Sequence, residues 1–221
     1  MSSGTITGAA TATAPDAVAR YSYRERAVHW VNAIAYTYCM ITGLALFTPF
    51  MYWMAAVLGG GATVRFWHPW MGLVYLVTII WMHSQWKSDM APIPEDKKWD
   101  ENLKYYVKNQ DDKMPPQGRF NAGQKINAIV TAALALLFAI TGFFLWYGER
   151  NHAFRLENAL LVHDWLMYLS FFLLLGHLYL ALLHPTTRHS LNGITRGWVR
   201  EDWARRHHPK WVEELRNGET R

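Results

Sequence analysis

Apolar residues are gathered into four long runs, 27–48, 66–86, 126–147 and 160–183, and only the last holds a formal charge, Asp164. Each run is about 20 residues or longer, enough to cross a hydrocarbon layer of about 30 Å as a helix. None shows the polar face that a helix of this length presents in a water-soluble protein. The pattern predicts an all-α chain, a membrane four-helix bundle. Between the second and third runs, Trp99, Leu103, Tyr106 and Val107 recur at i, i+4, i+7 and i+8, the spacing of an amphipathic helix lying on a membrane surface. Residues 196–215 repeat that surface pattern with Trp198, Trp203 and Trp211.

Charge gives the runs a direction. Of the 22 Lys and Arg residues, 19 lie before the first run, between the second and third, or after the fourth; only Arg65, Arg150 and Arg155 lie on the other side. The positive-inside rule then puts both termini in the cytoplasm of a bacterial cell whose inner membrane the chain crosses several times. The basic balance, +5 at pH 7, reads as a topology signal with anionic lipid as partner and not as a nucleic-acid surface. Residues 1–19, rich in Ala, Thr, Ser and Gly, are expected to form a flexible cytoplasmic tail. Residues 20–195 form the membrane domain, and 196–221 a cytoplasmic interfacial tail. The first run is too long for a cleaved signal peptide.

Four histidines, His29, His68, His163 and His177, lie in or beside these runs. His163 and His177 are 14 residues apart, which is about 21 Å of helical rise and close to four whole turns, so both point to nearly the same face. Run by run, His68 and His163 fall near the outer face, and His29 and His177 near the inner. Each pair can close a six-coordinate haem iron with neutral imidazoles. The single cysteine, Cys39, excludes a Cys-ligated iron–sulfur cluster and a CxxCH attachment, so haem would be non-covalent. Gly43, Gly72 and Gly176 lie where a flat macrocycle would approach a helix, though small residues also serve helix packing in membranes. His184 shares the His177 face by heptad spacing and is a rival inner ligand. His152, His189, His207 and His208 are expected to be solvated or lipid-facing. A metal transporter would call for more carboxylates or thiolates than Asp164 and Cys39 supply; a haem-free proton or ion transporter built on a histidine relay is the other competitor.

A polar cluster, Asn121, Gly123, Gln124 and Lys125, precedes the third run at the inner face. Its amides and bare glycine backbone can hydrogen-bond a quinone carbonyl; equally, Asn121 can cap a helix.

Several stretches resemble the cytochrome b (gamma) subunit of membrane-bound respiratory formate dehydrogenase: Arg26-Ala27-Val28-His29-Trp30, His68-Pro69, Asn121-Ala122-Gly123-Gln124-Lys125, His163 with His177, and Arg205-Arg206-His207-His208-Pro209-Lys210-Trp211. The resemblance covers roughly residues 22–215. It implies two b-haems in residues 20–195, with the pairs His68/His163 and His29/His177 as axial ligands of iron. It also implies a quinone site for menaquinone or ubiquinone at Asn121, Gly123 and Gln124. The implied partners are an iron–sulfur subunit and a catalytic formate-oxidising subunit on the outer face, near 50–65 and 148–158, with room for a higher oligomer of the complex. On this reading electrons enter at His68 and His163 and leave to quinone beside His29 and His177. The chain has no formate-oxidising residues of its own and contributes the quinone-reducing end. Dihaem cytochromes b of hydrogenases share this plan; a hydrogenase or other quinone-linked oxidoreductase forms the alternative.

Overall fold

The computed structural model describes residues 16–154 and 156–218, without the side chain of Asp111. In chain order the elements are β1 (Ala17–Ala19), α1 (Tyr23–Phe47), α2 (Trp53–Val57), α3 (Gly61–Trp86), α4 (Pro94–Glu101), α5 (Leu103–Val107), α6 (Ala122–Gly148), α7 (Ala159–Leu178), α8 (Leu191–Arg196), β2 (Trp198–Arg200), α9 (Glu201–His207) and α10 (Pro209–Arg216). Two compact units result. Among the described residues, a terminal unit holds 16–26, 84–128 and 177–218; a helical unit holds 27–83, 129–154 and 156–176.

Among the described residues three helices are long and apolar enough to cross a membrane: Tyr23–Phe47, Ala122–Gly148 and Ala159–Leu183. The fourth expected span, α3, is as long at 26 residues but is not among them. Its four tryptophans, two histidines, Arg65 and Gln85 dilute its apolar character. It also starts earlier than expected, at Gly61, so Pro69 falls inside it and removes the N–H that would bond the carbonyl of Arg65.

In the helical unit, polar side chains are buried among apolar ones and join the helices, while large apolar side chains face outward. Asn32 of α1 donates to the Tyr75 carbonyl at 3.2 Å and to Thr78 Oγ1 at 2.8 Å, joining α1 to α3. The Tyr36 hydroxyl donates to Ser170 Oγ at 3.0 Å, joining α1 to α7. Trp70 and Trp146 meet at 5.3 Å between α3 and α6. Large apolar side chains face outward, among them Ile34, Ile80, Ile129, Leu160 and Phe172. Such a surface suits lipid, where small polar residues join helices.

The terminal unit departs from the sequence reading at three points. Residues 1–15 of the expected tail lie outside the described residues, but Ala17–Ala19 pair antiparallel with Trp198–Arg200. The presumed surface stripe 196–215 closes a small core in which Val18, Val199, Ala204, Trp211 and Val212 are buried. The single amphipathic helix breaks at Asn102 into α4 and α5: Trp99 is buried, whereas Leu103 and Val107 are exposed.

Two charged groups organise this unit. Arg20, 3 % exposed, lies against the rings of Tyr21, Trp203 and Trp211 at 5.1–5.5 Å, where cation–π attraction offsets part of its desolvation. It donates to the Arg119 carbonyl at 3.0 Å and meets His208 Nε2 at 3.1 Å. His208 Nδ1 donates to the Gly118 carbonyl at 2.8 Å, so Nε2 accepts and the ring is neutral. His208, expected to be solvated or lipid-facing, is 2 % exposed because the tail folds back on Arg20. His189 accepts from the Arg200 N–H at 3.1 Å, and His207 tilts against Trp203 at 4.8 Å; only His152 lies exposed as expected. Nearby, Ser22 and Glu25 form a capping box for α1. Glu25 also accepts from Trp86 Nε1 and from Arg119, which in turn donates to Asp89 at 2.7 Å.

Burial, and then the facing Arg20 charge, hold the His208 pKa well below its ordinary value. The folded state thus prefers the neutral ring. The stability it contributes is full above the unfolded value of about 6.5 and is lost as pH falls toward the lower folded value. Hydrogen exchange of residues 197–216 should therefore lose protection between about pH 6.5 and 5, the window just below that unfolded value, and the loss should be smaller in a His208→Gln variant. Equal protection at both pH values in the wild type would contradict this account.

Candidate functional site

His68 of α3 and His163 of α7 meet inside the helical unit, their ring centres 6.2 Å apart and their planes at 60°. A ring nitrogen lies about 1.1 Å from the ring centre and bonds a metal at about 2 Å. Two imidazoles bound on opposite sides of one metal would have centres about 6.2 Å apart, the separation seen.

Each ring is held by a threonine on a neighbouring helix. Thr42 Oγ1 of α1 lies 2.7 Å from His68 Nδ1, and Thr141 Oγ1 of α6 lies 2.8 Å from His163 Nδ1. Both hydroxyls spend their proton one turn back, Thr42 on the Tyr38 carbonyl at 2.7 Å and Thr141 on the Leu137 carbonyl at 2.8 Å. A glycine follows each threonine. A Cβ added at Gly43 would lie 3.6 Å from His68 Cε1, and one at Gly142 would lie 3.5 Å from His163 Cε1. Cε1 adjoins Nε2, so bare backbone borders the edge from which each ring can bind a metal. A Cβ at Gly72, one turn after His68, would meet nothing within 4 Å. Among the described residues no group of three or more His, Cys, Asp or Glu gathers to bind a metal. A metal shared by these rings thus needs further donors, which the planar ring of a haem supplies. The residues present fit that group.

The other two expected ligands fall in different units: His29 on α1 in the helical unit, and His177 near the end of α7 in the terminal unit. His184 does not share the His177 face. A π-helical stretch, Tyr179–Leu183, separates them and turns later side chains by about 100° for the inserted residue. His184 is buried and stacks on Tyr106 at 6.1 Å.

At the third run, Asn121 Oδ1 accepts the Gln124 N–H at 2.8 Å, and Gln124 Oε1 accepts the Asn121 N–H at 3.0 Å. This reciprocal pair is a capping box for α6. It uses the two carbonyl oxygens and leaves both amide NH₂ groups as donors. Gly123 lies under Trp99, whose Cη2 a Cβ would meet at 2.9 Å. Lys125 is buried, bonded to Asp96 at 2.8 Å and to the Ala91 carbonyl at 2.9 Å. Asn121 also lines an open cleft of about 350 Å³, solvent included, together with Trp99, Tyr106, Gln117, Arg206 and His207.

The residues that sequence reasoning missed are Thr42, Thr141 and Gly142. The signal was present as a repeated tripeptide, Ile41-Thr42-Gly43 and Ile140-Thr141-Gly142.

A family model described as prokaryotic cytochrome b561 matches residues 20–197. The formate dehydrogenase cytochrome b556 subunit of Haemophilus influenzae is 28% identical over 206 residues, 89% of this chain and 83% of that protein. Two Escherichia coli K12 proteins, the cytochrome b556(fdo) subunit and the nitrate-inducible cytochrome b556(Fdn) subunit of formate dehydrogenase, are 27% and 25% identical. Those matches cover 91% and 92% of this chain, and 94% of each relative.

If Gly123 is set by the packing of Trp99, Gly123→Val should destabilise the protein by about 1–3 kcal/mol through overpacking. Gly118→Ala, whose Cβ meets nothing within 4 Å, should leave it near the wild type. Thermal unfolding in detergent compares them, and equal midpoints would contradict the packing role.

Proposed function

The chain belongs to the prokaryotic cytochrome b561 family, which implies haem b in an integral membrane protein, and from that premise we propose that it is the membrane electron-transfer subunit of a formate dehydrogenase complex. It carries electrons from an iron–sulfur partner on the outer face, through two b-haems, to quinone near the cytoplasmic face. The observation that carries this reading is the His68–His163 pair, spaced at 6.2 Å for one shared iron and bordered by two glycines.

Sequence spacing assigns the second haem to His29 and His177. Bound haem supplies a one-electron carrier at each depth. The chain's own residues would orient the histidine rings, exclude water with apolar helices and hold the quinone. Asn121 on the cleft, with the free amide donors of Asn121 and Gln124, suits a quinone carbonyl, and Trp99 and Tyr106 offer aromatic faces to its ring. Gly123 serves this site by admitting Trp99. The substrate is menaquinone or ubiquinone, and protons come from the cytoplasm.

We read α3 as a fourth span, because it exposes Val74, Val77, Ile80 and Trp81 as the other spans expose their apolar faces. Four crossings put both termini on one side, and the Lys and Arg distribution makes that side the cytoplasm. An electron moved inward against the potential costs about 2.3 kcal/mol per 100 mV, so the redox drop to quinone must exceed it. Formate oxidation belongs to a partner subunit, with the iron–sulfur subunit docked near 50–65 and 148–158.

A pyridine haemochrome assay on the purified chain should give two b-haems per chain. His163→Ala should give one. One haem in the wild type, or two in the variant, would refute the ligand assignment. Replacing both Asn121 and Gln124 by Ala should lower quinone reduction at least tenfold while haem content holds; full activity would move the quinone site elsewhere.

A further inference from the structure

The threonine–histidine contacts recur on both sides of the pair with the same chemistry. In each, the hydroxyl proton goes to a carbonyl one turn back on its own helix. A hydroxyl has one proton, so Thr42 Oγ1 and Thr141 Oγ1 can only accept from the facing Nδ1. The Nδ1–H of His68 and of His163 must therefore point at the threonines. That fixes the tautomer of both rings and leaves each Nε2 as a lone pair. The helical backbone fixes the hydroxyl, the hydroxyl fixes the ring, and the ring presents one nitrogen.

The paired origin is also legible. Ile41-Thr42-Gly43 on α1 serves His68 on the following long helix, α3; Ile140-Thr141-Gly142 on α6 serves His163 on the following helix, α7. Each tripeptide supplies an acceptor for Nδ1 and, one residue on, a bare backbone beside Cε1. Cys39 Sγ adds a weaker contact, 3.6 Å from the His68 carbonyl.

We propose that Thr42 and Thr141 are positioning residues for the haem held by His68 and His163, selecting the Nε2 ligand and setting the electron donation of each ring to iron; this rests on the haem reading above. A ring that donates its Nδ1–H becomes a stronger donor through Nε2. The acceptor is a neutral hydroxyl, so both ligands stay imidazoles and gain only modest basicity. Stronger donation favours oxidised iron. Loss of the bond therefore makes this haem easier to reduce and easier to lose.

The test uses the full chain in its complex, with Thr42→Val, Thr141→Val, the double variant, and the two Thr→Ser variants. Valine keeps the threonine shape, and serine restores the hydroxyl. Redox titration followed by visible absorbance and electron paramagnetic resonance reads each haem separately. Each Val variant should move one haem's midpoint potential positive, change that haem's low-spin signal and weaken its retention about 10- to 100-fold. The double variant should do more, and each Ser variant should return to the wild type. The other haem should not change. Unchanged potential and resonance signal in both Val variants would overturn the positioning role, as would failure of Ser to rescue. If His163→Ala also removes no haem, the ligand reading itself falls; if it removes one haem while the Val variants do nothing, only this inference falls.

Discussion

A polar atom enclosed by helices whose outer faces are apolar has no water to turn to, and it must find its partner within the protein, on its own helix or on a neighbouring one. That constraint shapes the helical unit. Asn32, Tyr36, Thr42, Thr141 and Ser170 do not sit at random among the apolar positions; each spans a gap between helices. Because lipid offers no hydrophobic drive between helices, these contacts and close packing hold them together. Two of the contacts end on histidines. The same force that assembles the helices therefore also orients the rings, and structural and chemical roles fall on one set of hydroxyls.

The terminal unit solves the opposite problem, a charge withdrawn from water. Arg20 is buried against three aromatic rings and takes a carbonyl and a neutral histidine as partners instead of a carboxylate. Arg119, close by, pairs with Glu25 and Asp89. Glu25 also caps the first turn of α1, so the foot of that helix is tied into the unit. The cleft that Asn121 shares with Trp99 and Tyr106 belongs to this same unit. Its walls come from segments far apart in sequence.

Much of this was legible in advance. Helix lengths follow from apolar runs, and the His68–His163 pair follows from helix direction and depth. Gly43, one of three glycines singled out as bare helix surface, stands beside His68. What was not legible is instructive. The Ile-Thr-Gly repeat is too short to stand out in an apolar sequence rich in Ile, Thr and Gly. Its meaning appears only when α1 lies against α3 and α6 against α7. The tail 196–215 has the tryptophan spacing of a surface helix, yet it closes on Val18 and Arg20 because a strand near the other terminus pairs with it. His208 looked like one of several tail histidines until that fold-back buried it. His184 left the His177 face because a π-helical stretch breaks the heptad register.

The sequence by itself therefore determined the long helices, their apolar character, the inventory of histidines and the family, since each depends on periodicity, composition or motifs within single segments. Tertiary structure alone decided which hydroxyl meets which imidazole, which nitrogen of each ring faces it, and which arginine is buried. Those outcomes depend on distances of about 3 Å between residues tens to hundreds of positions apart, and hydrogen bonds weaken steeply beyond that range. No local pattern encodes such a distance; only the packed chain sets it.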